Sequence, residues 1–195
     1  MIRREQAERT RELLLDAAAA ELWLHGLGGT RIQDVLDRAQ VTKGGLYHHF
    51  TSKQEMADAL AAQEAGRWPA LAEDVSSSGA RGLSALEEFA VSAAQRLQDD
   101  IRAKAVLRIA EELEGSAAAS VLAAWHDFTI LSLQQAIADG EVGDSIAIRE
   151  VAATVVEAVY GACVCPAPAS VPVDGPVRVR RLWAVLAPGL RSTAG

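Results

Sequence analysis

The residues best equipped for chemistry lie close together: Thr42, Lys43, Tyr47, His48, His49 and Lys53 bring hydroxyl, ammonium, phenol and imidazole groups into one short run. Cations and hydrogen-bond donors at such spacing suit contacts to the phosphates and base edges of a nucleic-acid duplex. A metal site is a poor reading of the same run, because adjacent helical residues such as His48 and His49 point apart. His25 and His126 are too isolated in sequence to complete a ligand set. Cys163 and Cys165 have one residue between them, which fits neither a redox pair nor half of a usual zinc knuckle; two small buried hydrophobes is the plainer reading. No metal and no cofactor are expected. The chain also lacks a nucleophile elbow, a phosphate loop and a metalloprotease helix, so an enzyme is not expected.

Elements able to position those groups are legible around them. An apolar stripe of Leu14, Ala18 and Leu22, flanked by Leu13 and Ala17, predicts a helix from near Arg4 to His25, stopped by Gly26. Gly28-Gly29 turns the chain, and Thr30 is placed to cap a second helix burying Ile32, Val35, Leu36 and Ala39. Only a tight turn fits before a third helix starting near Thr42, with Leu46 and Phe50 facing the core. Two short helices joined this closely form a helix-turn-helix, whose second member enters a major groove. Lys43, Gly45, Tyr47 and His48 then face outward. Ser52 and Glu55 match a capping box that starts a fourth helix, burying Met56, Ala59 and Leu60, with Pro69 expected to kink or end it.

Further on the pattern is helical throughout, with no strand alternation and no repeat. Leu83, Leu86, Ala90, Ala93 and Leu97 form one stripe, and Asp99-Asp100 ends it and offers a cap to the next. Val106, Ile109, Ala110 and Leu113 follow. A long helix carries Val121, Trp125, Phe128 and Ser132 on one face and stops at Gly140. The last two helices hold Val151, Val155, Val159 and Ala162, then Val179, Leu182, Trp183 and Leu186. A connector from Pro166 to Pro176 separates them, with Pro176 at a plausible first helical position. An all-α protein is expected, with residues 1–53 as the DNA-binding domain and 54–195 as a helical body.

Charge supports that division. The chain carries −7 overall, which looks wrong for a nucleic-acid binder, but residues 1–53 are net +1 and the remainder net −8. Half the residues are apolar, enough for a buried core. No apolar stretch follows Met1-Ile2-Arg3-Arg4-Glu5, so no secretory signal is expected. The most apolar segment, Val151 to Ala169, is interrupted by Glu157 and Pro166 and makes a poor membrane span. A cytoplasmic protein without a membrane partner is the expectation. Glu111, Glu112 and Glu114 read as a solvated helix end; turned inward, one of them would instead suit a cationic drug.

The run from Thr42 to Phe50 followed by Ser52-Lys53 resembles the signature of the TetR family of one-component repressors, over roughly residues 8–65. That resemblance implies operator DNA as a partner, with Arg31, Gln33, Thr42, Lys43, Gly44, Gly45, Tyr47, His48, His49 and Lys53 as its contacts. Two positions depart from the pattern. Gln40 stands where the family usually has a turn glycine, at a cost of roughly 1–2 kcal/mol if its backbone is left-handed. Gly45 replaces a small hydroxyl residue or alanine and deletes a groove-facing side chain.

The body resembles the γ-butyrolactone receptors and their pseudo-receptor relatives, through Ala105-Val106-Leu107-Arg108-Ile109, Glu111-Glu112, Trp125, Ala136-Ile137-Ala138-Asp139-Gly140-Glu141 and Arg181 to Leu190. By itself a tryptophan on an apolar helical face reads as core. The resemblance instead implies a ligand pocket at Trp125, with Leu86, Phe89, Ile109, Val121, Phe128 and Cys163 as apolar candidates and Gln63, Thr129 and Tyr160 as polar ones. Tyr160, just before Gly161, stands where a hydroxyl contacts the lactone in that branch, and its larger ring would reshape the pocket. The resemblance further implies a homodimer, paired through Val155, Val159, Leu182 and Leu186 of the last two helices. The implied function is a repressor released by a small apolar effector. Alternatives are an efflux-type regulator answering cationic or hydrophobic drugs, a small helical enzyme, and a DNA binder without effector, which predicts a body collapsed on itself.

Overall fold

The computed structural model describes residues 2–110, 112, 118–165 and 174–191. Among them every regular element is a helix: α1 (Ile2–Gly29), α2 (Ile32–Ala39), α3 (Lys43–His49), α4 (Lys53–Ala65), α5 (Arg67–Ser77), α6 (Gly82–Asp99), α7 (Ile101–Ile109), α8 (Ala119–Ala138), α9 (Ile148–Val164) and α10 (Gly175–Arg191). None of these is long and apolar enough to cross a membrane. The expected Leu113, Glu111 and Glu114, and most of the Pro166–Pro176 connector, fall outside the described residues.

The helices form two compact units. One runs up to Arg67 and includes Asp100–Leu122; the other comprises Trp68–Asp99 and the described residues from Ala123 onward.

In the first unit α1 packs on α7, α2, α3 and α4. Its inner stripe is Leu14, Leu15, Ala18 and Leu22, all at most 1% exposed, met by Val35, Leu46, Phe50, Met56 and Leu60. The regular helix is broken at Gly26, whose φ of 66° and ψ of 179° are non-helical. Thr30 does not cap α2: its hydroxyl donates instead to the Gly26 carbonyl at 2.6 Å, and the N-cap position falls on Arg31 with no side-chain cap. The Gly26 carbonyl also accepts the Thr30 amide at 3.2 Å, so Thr30 closes the turn that ends α1 rather than opening α2. Asp100 caps α7 as its sequence position suggested, accepting from the Arg102 and Ala103 amides. One side chain binds three helices here. The Arg102 guanidinium donates to Asp16 (2.7 Å) and Glu12 (2.7 Å) of α1 and to Gln63 (3.0 Å) of α4.

Within the second unit α6 packs on α10 and α9. Leu83, Leu86, Ala90, Ala93 and Leu97 are buried on α6, as the stripe requires. The break between α4 and α5 falls at Gly66 rather than at Pro69, which sits in the first turn of α5. A proline there costs no hydrogen bond, because first-turn amides have no intrahelical partner. Asp174 caps α10 by accepting from the Val177 amide at 2.8 Å, and Gly140, at φ 74°, lies just past the end of α8.

Candidate nucleic-acid interface and ligand site

The turn between α2 and α3 is closed by Gln40, at φ 54° and ψ 38°, the only described non-glycine residue with positive φ. Both its own amide and that of Val41 are directed at the Leu36 carbonyl. Thr42 then caps α3, its hydroxyl accepting from the Gly45 amide at 3.2 Å. Leu46 and Phe50, 0% and 2% exposed, anchor the short helix from below. That burial fixes its outer face: Lys43, Gly44, Tyr47 and His48 are exposed, and Lys43 lies 6.0 Å above the Tyr47 ring. His49 is half-buried and meets His48 edge-on. Gly45 is also half-buried, and a Cβ there would lie 2.9 Å from Val41 Cγ1. The glycine thus lets α3 close on its own turn, a constraint that its place in the sequence does not reveal.

Arg31 and Gln33, flanking the start of α2, are exposed, with Gln33 donating to Asp37 at 2.8 Å. Lys53 differs from the other cations. Its ammonium donates to the carbonyls of Gly28 (3.2 Å) and Thr30 (2.9 Å), on the turn that joins α1 to α2. The expected capping box is present with a shifted partner: Ser52 accepts from the Glu55 amide, but the Glu55 carboxylate takes the amide and hydroxyl of Thr51. Those bonds hold the Glu55 carboxyl below its ordinary pKa, the Thr51 backbone bond contributing most.

In the second unit four aromatic rings form a contiguous group. Trp125 lies 5.1 Å from Trp68 and 5.8 Å, edge-on, from Phe89, which stacks on Phe128 at 4.5 Å. Both indole N–H groups, of Trp68 and Trp125, are buried and have no hydrogen-bond partner among the described residues. The space beside Trp125 is bounded by Leu86, Phe89, Ala90, Thr129, Val155, Val156 and Val159 and measures about 10 Å³. A single water needs about that much.

Of the expected ligand contacts, Leu86, Phe89, Trp125 and Thr129 therefore come together. Thr129 spends its hydroxyl on the Trp125 carbonyl at 2.8 Å. Phe128 lines a separate cleft of about 560 Å³, with Ser76, Arg81, Leu131, Ser132 and Gln135. Ile109 and Val121 are buried in the first unit, and Gln63 is there too, engaged by Arg102. Tyr160 and Cys163 are half-buried on α9, and burial pushes the Cys163 thiol up to about 12.

The expected dimer contacts also divide. Val159 is 3% exposed and turned toward Trp125; Val155, at 5%, lines both that space and an outer groove. The outer groove, about 420 Å³, runs between α9 and α10 along Val151, Thr154, Val185, Leu186 and Leu190. Val185 is 75% exposed and Leu182 half-buried. The stripe read from spacing was thus partly the inward face of α9. Glu112 is exposed, as expected, and also accepts from the Leu27 and Gly28 amides at 3.0 and 3.2 Å. No group of three or more metal-ligating side chains occurs among the described residues.

A short capped helix that buries one face, follows a left-handed turn and exposes lysine, tyrosine and histidine defines a helix-turn-helix DNA-binding unit. Residues 14–60 match the family described as bacterial regulatory proteins, tetR family, so this segment is a TetR-type DNA-binding domain, and the helical architecture is that of solved TetR-family proteins. Over 55 residues it is 46% identical to the transcriptional repressor KstR2 of Mycobacterium tuberculosis, a match spanning 28% of either chain. A solved γ-butyrolactone receptor, described as ArpA-like, superposes with a TM-score of 0.81 at 27% identity, covering 95% of this chain and 89% of that one. CprB of Streptomyces coelicolor, solved with its operator sequence, gives 0.78 at 26% identity, covering 97% and 94%.

Proposed function

We propose that the protein is a ligand-responsive repressor: residues 1–53 bind a palindromic operator, and residues 54–195 pair two chains and take up a small apolar effector. The observation that carries the DNA half is the outer face of α3, where Lys43, Tyr47 and His48 stand exposed on a helix anchored by Leu46 and Phe50. Similarity to a regulator solved on its operator supports the same reading. Two such helices in a symmetric dimer would meet successive major grooves.

The indole N–H of Trp125, a residue bordering this space, speaks for the effector, having no hydrogen-bond partner among the described residues. Each buried donor left unpaired costs about 1–3 kcal/mol, so a ligand bringing an acceptor oxygen gains there. A lactone or butenolide carbonyl has that chemistry, and an apolar body would fit the surrounding Leu86, Phe89 and Val156. The space beside Trp125, about 10 Å³, is as closed as the reading without an effector expects, so uptake of an effector requires Phe89 and its neighbours to move, and release of DNA by a lactone is what separates the two readings. That displacement supplies the second body shape a switch needs.

The test is a mobility shift with DNA from the protein's own upstream region, repeated with an alkyl-substituted γ-butyrolactone. Specific binding with release by the lactone is expected. Lys43→Ala should weaken every duplex and reduce the slope of log affinity against log salt by about 0.9, the share of one phosphate contact. An unchanged slope removes Lys43 from the interface.

A further inference from the structure

We propose that Lys53 and Glu112 sustain operator binding as positioning residues: they grip the α1–α2 turn from opposite sides and do not contact DNA. Gly26 breaks α1, so the amides of residues 27 and 28 and the carbonyls of residues 28 and 30 all come free within a few residues. Unpaired backbone groups demand partners. The Glu112 carboxylate, just beyond the end of α7, takes the Leu27 and Gly28 amides with its Oε2, while its Oε1 faces Arg108 at 3.2 Å. The Lys53 ammonium, at the start of α4, takes the Gly28 and Thr30 carbonyls. Anion meets donors and cation meets acceptors, the polarity each terminus favours.

Gly26 makes the grip possible twice over. Its φ of 66° suits glycine, and a Cβ there would collide with Glu112 Oε1, so the carboxylate can approach the backbone only where the side chain is missing. The turn feeds directly into α2, and α2 into the reader α3. Residue Gly28 is held from both sides, by its amide and its carbonyl. A shift at the end of α7 is therefore delivered to α2 through Glu112. In this geometry two of the three Lys53 donors are already committed, and their loss would loosen the turn without removing a phosphate contact.

Salt dependence separates positioning from contact. A lysine that neutralises a phosphate releases a counterion, so its removal flattens the salt slope by about 0.9; a lysine that only positions leaves the slope alone. Full-length protein is titrated onto operator DNA at several salt concentrations, as wild type, Lys53→Met, Lys53→Arg, Glu112→Gln and Lys53→Met/Glu112→Gln. Amide exchange at Leu27 and Gly28 is followed without DNA. Lys53→Met and Glu112→Gln should each weaken binding about tenfold with the wild-type slope, and Lys53→Arg should restore most of it. The double variant should lose less than the product of the single losses, because both act on one turn. Glu112→Gln should speed exchange at Leu27 and Gly28 even if operator binding proves too weak to measure. A slope flattened by about one unit in Lys53→Met, unchanged affinity in both single variants, or unchanged exchange in Glu112→Gln would each overturn the proposal.

Discussion

Gln40→Gly is expected to stabilise the protein. The residue holds φ 54° and ψ 38°, a region where an L side chain is disfavoured by roughly 1–2 kcal/mol because Cβ crowds the following carbonyl. Glycine removes that crowding and leaves the Gln40 and Val41 amides directed at Leu36. It also gives the unfolded chain more freedom, which offsets about 0.4–1 kcal/mol. The side chain is exposed and no contact of it enters the balance. A net gain of about 0.5–1 kcal/mol follows. For a chain of this size each kcal/mol is worth about 2–4 °C, so the midpoint should rise by about 1–4 °C. Thermal melts by circular dichroism should rank Gly above Asn and Asn above Gln. Gln40→Val should melt lowest, since β-branching worsens the clash. A glycine variant no more stable than wild type, or a valine variant equal to it, would refute the left-handed turn as a source of strain.

The remaining expectations concern the dimer and the capping box. Val185→Asp with Leu186→Asp places charges in the open α9/α10 groove and should give monomers by sedimentation that lose operator affinity, because one half-site alone binds weakly; a native monomer, or a variant still dimeric, would count against that face. Val159→Asp should instead destabilise the fold itself, its side chain being buried beside Trp125. The Glu55 carboxyl is depressed in the folded chain, so its stabilisation is complete above the unfolded carboxylate value and is lost as pH falls through the folded one. Glu55→Gln should therefore flatten the acid limb of a stability-versus-pH curve, and an identical limb would show that Thr51 does not depend on the charge.

What the sequence determines by itself is whatever local periodicity and end chemistry fix. The stripe at Leu14, Ala18 and Leu22, the break at Gly26, the reader anchored by Leu46 and Phe50, the Ser52 cap and the Asp100 cap all follow from interactions spanning a few residues. So does the assignment of a TetR-type reader, since its signature lies within one helix-turn-helix. Only the tertiary structure decides which of several outward or inward faces an apolar stripe presents. Val155 and Val159 share helical spacing with Val151, yet rotation of α9 against α6 buries Val159 and leaves Val151 on the groove. Only tertiary structure, likewise, brings Glu112 to Leu27 across 85 positions and turns a residue of an apparently solvated acidic run into a backbone acceptor. Lys53 shows the same limit: its charge is legible from sequence, but the carbonyls that consume it become available only once Gly26 has broken α1. Hydrogen-bond partners distant in sequence are set by how helices pack, and no local pattern encodes them.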